Sequence, residues 1–201
     1  TLLGQLDAAL GGKTGINLDT AKNAVGTIRL PESVHLDPLF LLTLADEDLR
    51  CGLAEAIKSA LIADVELLTR IEKGGPAIVR RELALLEEVA ERSAAVKLRI
   101  VAEDLHEGGR RRLLNLGHTL GHVLEALAAQ QSISLHHGDA VAIGMDFVVH
   151  LSHRLGVLED ETLGETLAAA LAACDLPLRP PASLVVESSA VLAELRHDKK
   201  R

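Results

Sequence analysis

One residue in three is leucine or alanine, 39 Leu and 28 Ala in a chain of 201. These are the strongest helix formers among apolar side chains, and residues that favour strands are scarce, so the chain buries its core mainly by packing helices. Apolar residues at 48% and charged ones at 25% are globular values that argue against disorder. The length suits one domain, or one and a fraction. With 21 Lys and Arg against 29 Asp and Glu, the net charge of −8 disfavours a nucleic-acid partner. Two Phe and no Trp or Tyr leave almost no platform for stacking bases. No apolar run approaches a bilayer span and no basic-then-apolar leader opens the chain, so no membrane partner and a cytoplasmic location are expected. Cys51 and Cys174 are too few for a disulfide framework and read as small core residues within helical patterns.

Residues 1–45 differ from the rest. They hold Gly11, Gly12, Gly15, Gly26, Pro31 and Pro38 and no sustained helical period beyond the first ten residues. This stretch reads as a connecting segment, with a short strand expected over 34–37. From Asp46 onward Leu49, Leu53, Ile57, Leu61, Val65 and Leu68 recur at helical steps as far as Gly74-Gly75-Pro76. Pro76 can open a second helix reaching about residue 104. Further helices are predicted over 112–129, 138–155, 160–174 and 188–196. Six helices with short breaks describe an antiparallel, bundle-like domain over 46–201.

The helix expected over 112–129 carries the chemistry. Arg111, Asn115, His118, His122 and Glu125 follow one another at steps of four, three, four and three, and would line one face. A solvated face normally holds Glu–Lys pairs, whereas this one holds two His, an Asn and an Arg, beside Gly117 and Gly121. Glycines cost about 1 kcal/mol each inside a helix, which suggests close approach of a ligand or another backbone. His118 and His122, one turn apart, could share a metal, but Thr119 stands where a zincin would need its general-base glutamate. Alternatively one imidazole binds metal and the other substrate. Further ligands could come from His136-His137-Gly138-Asp139 at a helix start, or from Glu55, which shares a face with Lys58 and otherwise reads as half of a surface ion pair. His150 and His153 could chelate but lack nearby acidic partners; His35, His106 and His197 read as surface or loop residues, and Asp64 and Glu66 as solvated charges. Gly11-Gly12-Lys13-Thr14 mimics the end of a Walker A loop, yet Asp7 replaces the glycine that should open it. Lys13 is then either a mobile phosphate contact or part of a flexible turn.

Taken in order, Gly11-Gly12-Lys13-Thr14, Lys22-Asn23, Gly52-Leu53-Ala54-Glu55-Ala56-Ile57-Lys58, Arg111 with Leu114-Asn115-Leu116-Gly117-His118-Thr119, Gly121-His122, His137-Gly138-Asp139-Ala140-Val141 and Asp198-Lys199-Lys200 resemble the 3-dehydroquinate synthase family over nearly the whole chain. The resemblance implies the multi-helix C-terminal domain of that fold, mainly α, with 1–45 a Gly-rich remnant of an α/β NAD-binding domain. It implies a lyase of the shikimate pathway for aromatic amino acid biosynthesis, which converts the keto-acid sugar phosphate DAHP into 3-dehydroquinate and phosphate. Its cofactors are NAD and a divalent metal, Zn2+ or Co2+. By resemblance Glu55, His118 and His137 are the metal ligands, an open catalytic set. Lys58, Lys97, Arg111, Asn115 and His122 are implied catalytic residues. Lys13, Asn23 and Lys199 or Lys200 are implied substrate contacts, and Asp7, Lys13 and Lys22 lie near the cofactor. In the family's scheme NAD transiently oxidises a ring hydroxyl, phosphate leaves by β-elimination, hydride returns, and ring opening with aldol closure completes the product. The chain looks truncated at both ends against the family pattern, so the 201 residues alone are expected to turn over little; a homodimer is expected at full length.

Other readings compete. Sugar phosphate cyclases that make cyclitols share the metal site, and glycerol-dehydrogenase-like enzymes share the fold at greater distance. His197-Asp198 hints at an HD-type phosphohydrolase. A non-enzymatic helical interaction domain would keep its metal content unchanged in Glu55→Ala and His118→Ala.

Overall fold

The computed structural model describes residues 3–6, 8–18 and 21–198, with 3, 16–18, 21–24, 197 and 198 described by their backbone. The N-terminal stretch holds two short 3-10 helices (Leu3–Leu6 and Ala8–Leu10), then strands β1 (Ile16–Leu18) and β2 (Ala21–Val25) in an antiparallel hairpin. Lys13 and Ile28 form an isolated bridge beyond that hairpin. The strand expected over 34–37 does not form. There the chain runs into a 3-10 helix (Pro38–Thr43), capped by the Asp37 carboxylate, which accepts from the Leu39 N–H at 3.0 Å.

Seven α-helices follow among the described residues: α1 (Asp46–Ala63), α2 (Val65–Val79), α3 (Leu83–Glu103), α4 (His118–Gln130), α5 (His137–Arg154), α6 (Glu161–Ala173) and α7 (Ser188–Asp198). Asp46, Glu47 and Asp48 open α1, where carboxylates oppose the positive end of the helix dipole. Leu53, Ile57, Leu67, Leu68, Ile71, Leu86, Val141, Met145 and Leu171 fill one core between α1, α2, α3, α5 and α6, which Leu6 and Leu41 of the N-terminal stretch also enter. A second core joins α4 and α5 through Val123, Leu124, Leu127 and Ile143, with Leu184 from the preceding loop and Val191 and Leu195 of α7 packed against it. No helix among the described residues is long and apolar enough to cross a membrane.

Between α1 and α3 two helix boundaries differ from the expected ones. The apolar stripe from Leu49 to Leu68 is two helices, because Asp64 breaks the chain and caps α2, accepting from the Leu67 N–H at 3.1 Å. Pro76 opens no helix; it sits in the last turn of α2, which runs on to Val79. Asp64 is therefore not a solvated charge. Its carboxylate also accepts two hydrogen bonds from Arg92, at 2.6 and 2.9 Å. Partial burial pushes its carboxyl up, but the Arg92 guanidinium and the Leu67 N–H outweigh that and hold it below the usual carboxylate range. A depressed folded pKa means the stabilisation is present above the unfolded value of about 3.9 and is lost as pH falls through the folded one. Asp64→Ala is expected to lower stability by about 1 kcal/mol at pH 7. The gap in thermal melting between the two proteins should begin to close below about pH 4; a gap undiminished at pH 2 would refute the ionised cap.

Candidate metal centre

The helix expected over 112–129 is interrupted. Arg110–Asn115 is a 3-10 helix, Leu116 and Gly117 form a turn, and α4 begins at His118. Gly117 makes the corner at φ 80, and a Cβ there would lie 2.7 Å from both the Val141 oxygen and the Met145 Cγ on α5. Only glycine combines that backbone with that approach. Arg111 and Asn115 are thus on a different element from His118, His122 and Glu125, yet all five line one cavity of about 520 Å³. Lys58 from α1, Lys97 from α3, His137 from α5 and Lys13 from the glycine-rich turn complete its wall.

At its wall His118 and His137 meet a third residue, the buried Glu55, so that donors from three helices converge. Glu55 Oε1 lies 3.5 Å from His118 Nε2 and 3.4 Å from His137 Nε2. A tetrahedral zinc ion with bonds of about 2.0–2.1 Å holds its donor atoms about 3.3 Å apart. The donors, one carboxylate oxygen and two imidazole nitrogens, are therefore spaced and typed for a divalent transition metal with an open position. His118 Nδ1 faces the Leu116 carbonyl at 3.2 Å, which directs Nε2 inward. His122 stands aside, its ring centre 5.5 Å from that of His118 and 6.2 Å from that of His137. It belongs to a second group, with Glu125 and His137, whose donor atoms lie within 4.8 Å of one another.

The Glu55–Lys58 pair is not on the surface. Glu55 is 6% exposed and Lys58 2%, and the Lys58 ammonium donates to Glu55 Oε2, leaving Oε1 to the imidazoles. Burial alone would raise the Glu55 carboxyl, but Lys58, His137 and His118 together hold it well below the carboxylate range, so it is an anion. Burial pulls His118 down to about 4, leaving it neutral with a lone pair to donate. Hydrogen bonds to the Glu125 and Glu55 carboxylates raise His137 to about 9, so the two acids favour positive charge on this side of the site.

Lys97 is buried and Arg111 is 1% exposed. Two Arg111 nitrogens go to backbone carbonyls, of Leu105 at 2.7 Å and of Gly11, so Arg111 pins the glycine-rich turn against the helices while adding its charge to the cavity. Lys13 is exposed and pairs with Glu107 at 2.7 Å; Asn115 Nδ2 donates to the same carboxylate oxygen at 2.8 Å. Glu107 is a site residue that sequence reasoning missed. Its signal was an acid between a helix end and the Gly108-Gly109 break, and it sits at φ 60. Lys22 and Asn23 are on β2, with side chains outside the described residues, and Asp7, Lys199 and Lys200 lie outside them altogether. Cys174 is buried, its thiol pushed up to about 12 chiefly by burial, whereas Cys51 is half-buried and accepts from the Gly138 N–H at 3.3 Å. His150 does have an acidic neighbour, Asp146, at 3.4 Å, but no third donor joins them among the described residues.

Residues 52–201 match the family described as 3-dehydroquinate synthase C-terminal, and residues 1–51 match 3-dehydroquinate synthase N-terminal. The 3-dehydroquinate synthase of Synechocystis sp. is 41% identical over 202 aligned residues, covering 100% of this chain and 55% of that protein. That of Dehalococcoides mccartyi is 40% identical, covering 100% of this chain and 54% of that protein. The chain spans about half the length of the curated relatives it matches. Among solved structures, 2-epi-5-epi-valiolone synthase from Streptomyces hygroscopicus subsp. jinggangensis, with NAD+ and Zn2+ bound, is similar over 100% of this chain and 54% of its own, at 33% identity and a TM-score of 0.86. A 2-deoxy-scyllo-inosose synthase complexed with carbaglucose-6-phosphate, NAD+ and Co2+ shares the fold at 24% identity and a TM-score of 0.81, over 100% of this chain and 53% of its own.

Proposed function

Because the chain belongs to the 3-dehydroquinate synthase family, we propose that it is the metal- and substrate-binding part of an enzyme that converts DAHP to 3-dehydroquinate and phosphate. The division from the preceding part is proposed at residues 45 and 46, where α1 begins, near the point at which the two family matches meet. The observation that carries the reading is the Glu55, His118 and His137 donor group at the wall of a cavity that the two histidines line together with Lys58, Lys97 and Arg111. An acidic protein that gathers its cations around one site offers it to an anionic ligand, and DAHP carries a phosphate and a carboxylate.

Glu55, His118 and His137 would hold the metal, zinc by analogy with the valiolone synthase relative. The metal supplies Lewis-acid polarisation of substrate oxygens, and NAD supplies the hydride chemistry. Toward NAD, Lys13 is the one proposed contact whose side chain is described. Lys58, already committed to Glu55, fixes that carboxylate and places a charge at the cavity floor. Lys97 and Arg111 supply buried positive charge for phosphate or carboxylate oxygens. Asn115 and Lys13 become donors to substrate once Glu107 gives them up, and His122 offers an imidazole to a substrate hydroxyl.

The reading is tested on the protein with its N-terminal part, measuring NAD-dependent phosphate release from DAHP. His118→Ala and Arg111→Met should each abolish release, and wild-type rates in either would end the proposal. A seven-carbon ketose phosphate without the carboxylate separates the two cyclase readings: preference for it over DAHP would favour a cyclitol-forming enzyme.

A further inference from the structure

We propose that Glu125 is a positioning residue, which holds the His137 ring by its Nδ1 so that Nε2 faces Glu55 and His118. A neutral imidazole has one N–H and one lone pair, and the partner of the first decides which nitrogen offers the second. Glu125 Oε1 lies 3.3 Å from His137 Nδ1, while His137 Nε2 lies 3.4 Å from Glu55 Oε1 on the other side of the ring. The two imidazoles of the site are thus gripped in the same way, His118 by the Leu116 carbonyl and His137 by a carboxylate. Their surroundings explain the difference. The His118 side chain is 15% exposed, whereas that of His137 is 43% exposed at the first residue of α5 and is the freer of the two to turn towards solvent. Glu125 is two turns beyond His118 on α4, so one helix supplies a metal ligand and the group that orients another. A carboxylate in this place also increases the electron density that the imidazole donates to a cation, and loss of such an outer partner typically costs 10–100-fold in metal affinity.

The inference rests on the metal reading of Glu55, His118 and His137, and the test separates the two. Co2+ affinity of the full chain is measured by competition with a chromogenic chelator, for wild type, Glu125→Ala and Glu125→Gln. Glu125→Ala should bind about 10–100-fold more weakly with an unchanged metal-free melting temperature, and Glu125→Gln, which keeps an acceptor oxygen, should recover most of the loss. Nitrogen-15 spectra of the Zn2+-loaded wild type should show His137 protonated at Nδ1 and ligated through Nε2, a readout that needs no variant to fold. Affinity in Glu125→Ala within twofold of wild type, or ligation through Nδ1, overturns the assignment while leaving the metal reading intact. Two equivalents of Co2+ per chain, the second lost in Glu125→Ala, would overturn it in favour of a second cation on His122, Glu125 and His137. A wild-type chain that takes up no Co2+ sinks the metal reading and this inference together.

Discussion

Glu55→Ala is expected to cost the protein its metal and about 3–5 kcal/mol of stability together, whereas His118→Ala costs the metal alone. The difference lies in what each removal leaves behind. Lys58 is 2% exposed and its ammonium is paired with Glu55, so deleting the carboxylate strands a buried cation in a medium that solvates it poorly. His118 is neutral and hydrogen-bonded to a carbonyl, and its loss leaves no charge uncompensated. Each variant keeps two of three donors, so metal affinity should fall by more than the roughly 10–100-fold that an outer partner is worth. Thermal melting and metal content of the two variants check the split. The double replacement Glu55→Leu with Lys58→Met sharpens it: an apolar pair of similar volume should restore most of the stability while the metal stays lost. Equal melting temperatures for Glu55→Ala and wild type would mean that Lys58 is not held as the structure has it.

The helices were legible because their apolar residues repeat at helical steps, and the misread boundaries are those that a repeat cannot reveal. Across Asp64 the stripe keeps its step from Leu61 through Val65 to Leu68, so periodicity runs straight through a residue that in fact ends one helix and caps the next. Leu113, Leu116 and Leu120 keep step across the corner at Gly117 in the same way, and only the glycine marked it. The one strand expected, over 34–37, is absent, and the N-terminal hairpin of β1 and β2 escaped because so short a pair carries too few alternating residues to announce itself. At the candidate site, residue types were readable and depth was not. A Glu and a Lys three apart on a helix look the same on the surface and in the core, and tertiary packing alone made Glu55 and Lys58 a buried pair. The joining of Glu55 to His118 and His137 came from the resemblance, since no local spacing links three helices. Glu107 escaped because its partners, Lys13 and Asn115, come to it only through the folding of a loop.

Gly138→Ala is expected to destabilise the protein by about 1–3 kcal/mol and to weaken metal binding as well, although alanine is ordinarily the better helix residue. Gly138 follows His137 in the first turn of α5, where that helix crosses α1, and a methyl group there would fall on the Cα of Cys51. The obstacle is backbone, which no rotamer change relieves, so α5 must move away from α1. Those two helices carry His137 and Glu55, whose facing atoms are 3.4 Å apart, so a shift of a few tenths of an ångström is spent directly on the metal geometry. Gly164→Ala provides the opposite sign. It lies inside α6, and its added methyl would meet Val149 Cγ1 at 3.6 Å and the His153 ring at 3.7 Å, ordinary contact distances. There the gain in helix propensity, up to about 1 kcal/mol, should appear undiminished and metal affinity should not change. Two Gly→Ala replacements in helices then move the melting temperature in opposite directions, and only the one at the α1–α5 crossing moves Co2+ affinity. If both stabilise, the close approach that sets His137 against Glu55 is not present in solution.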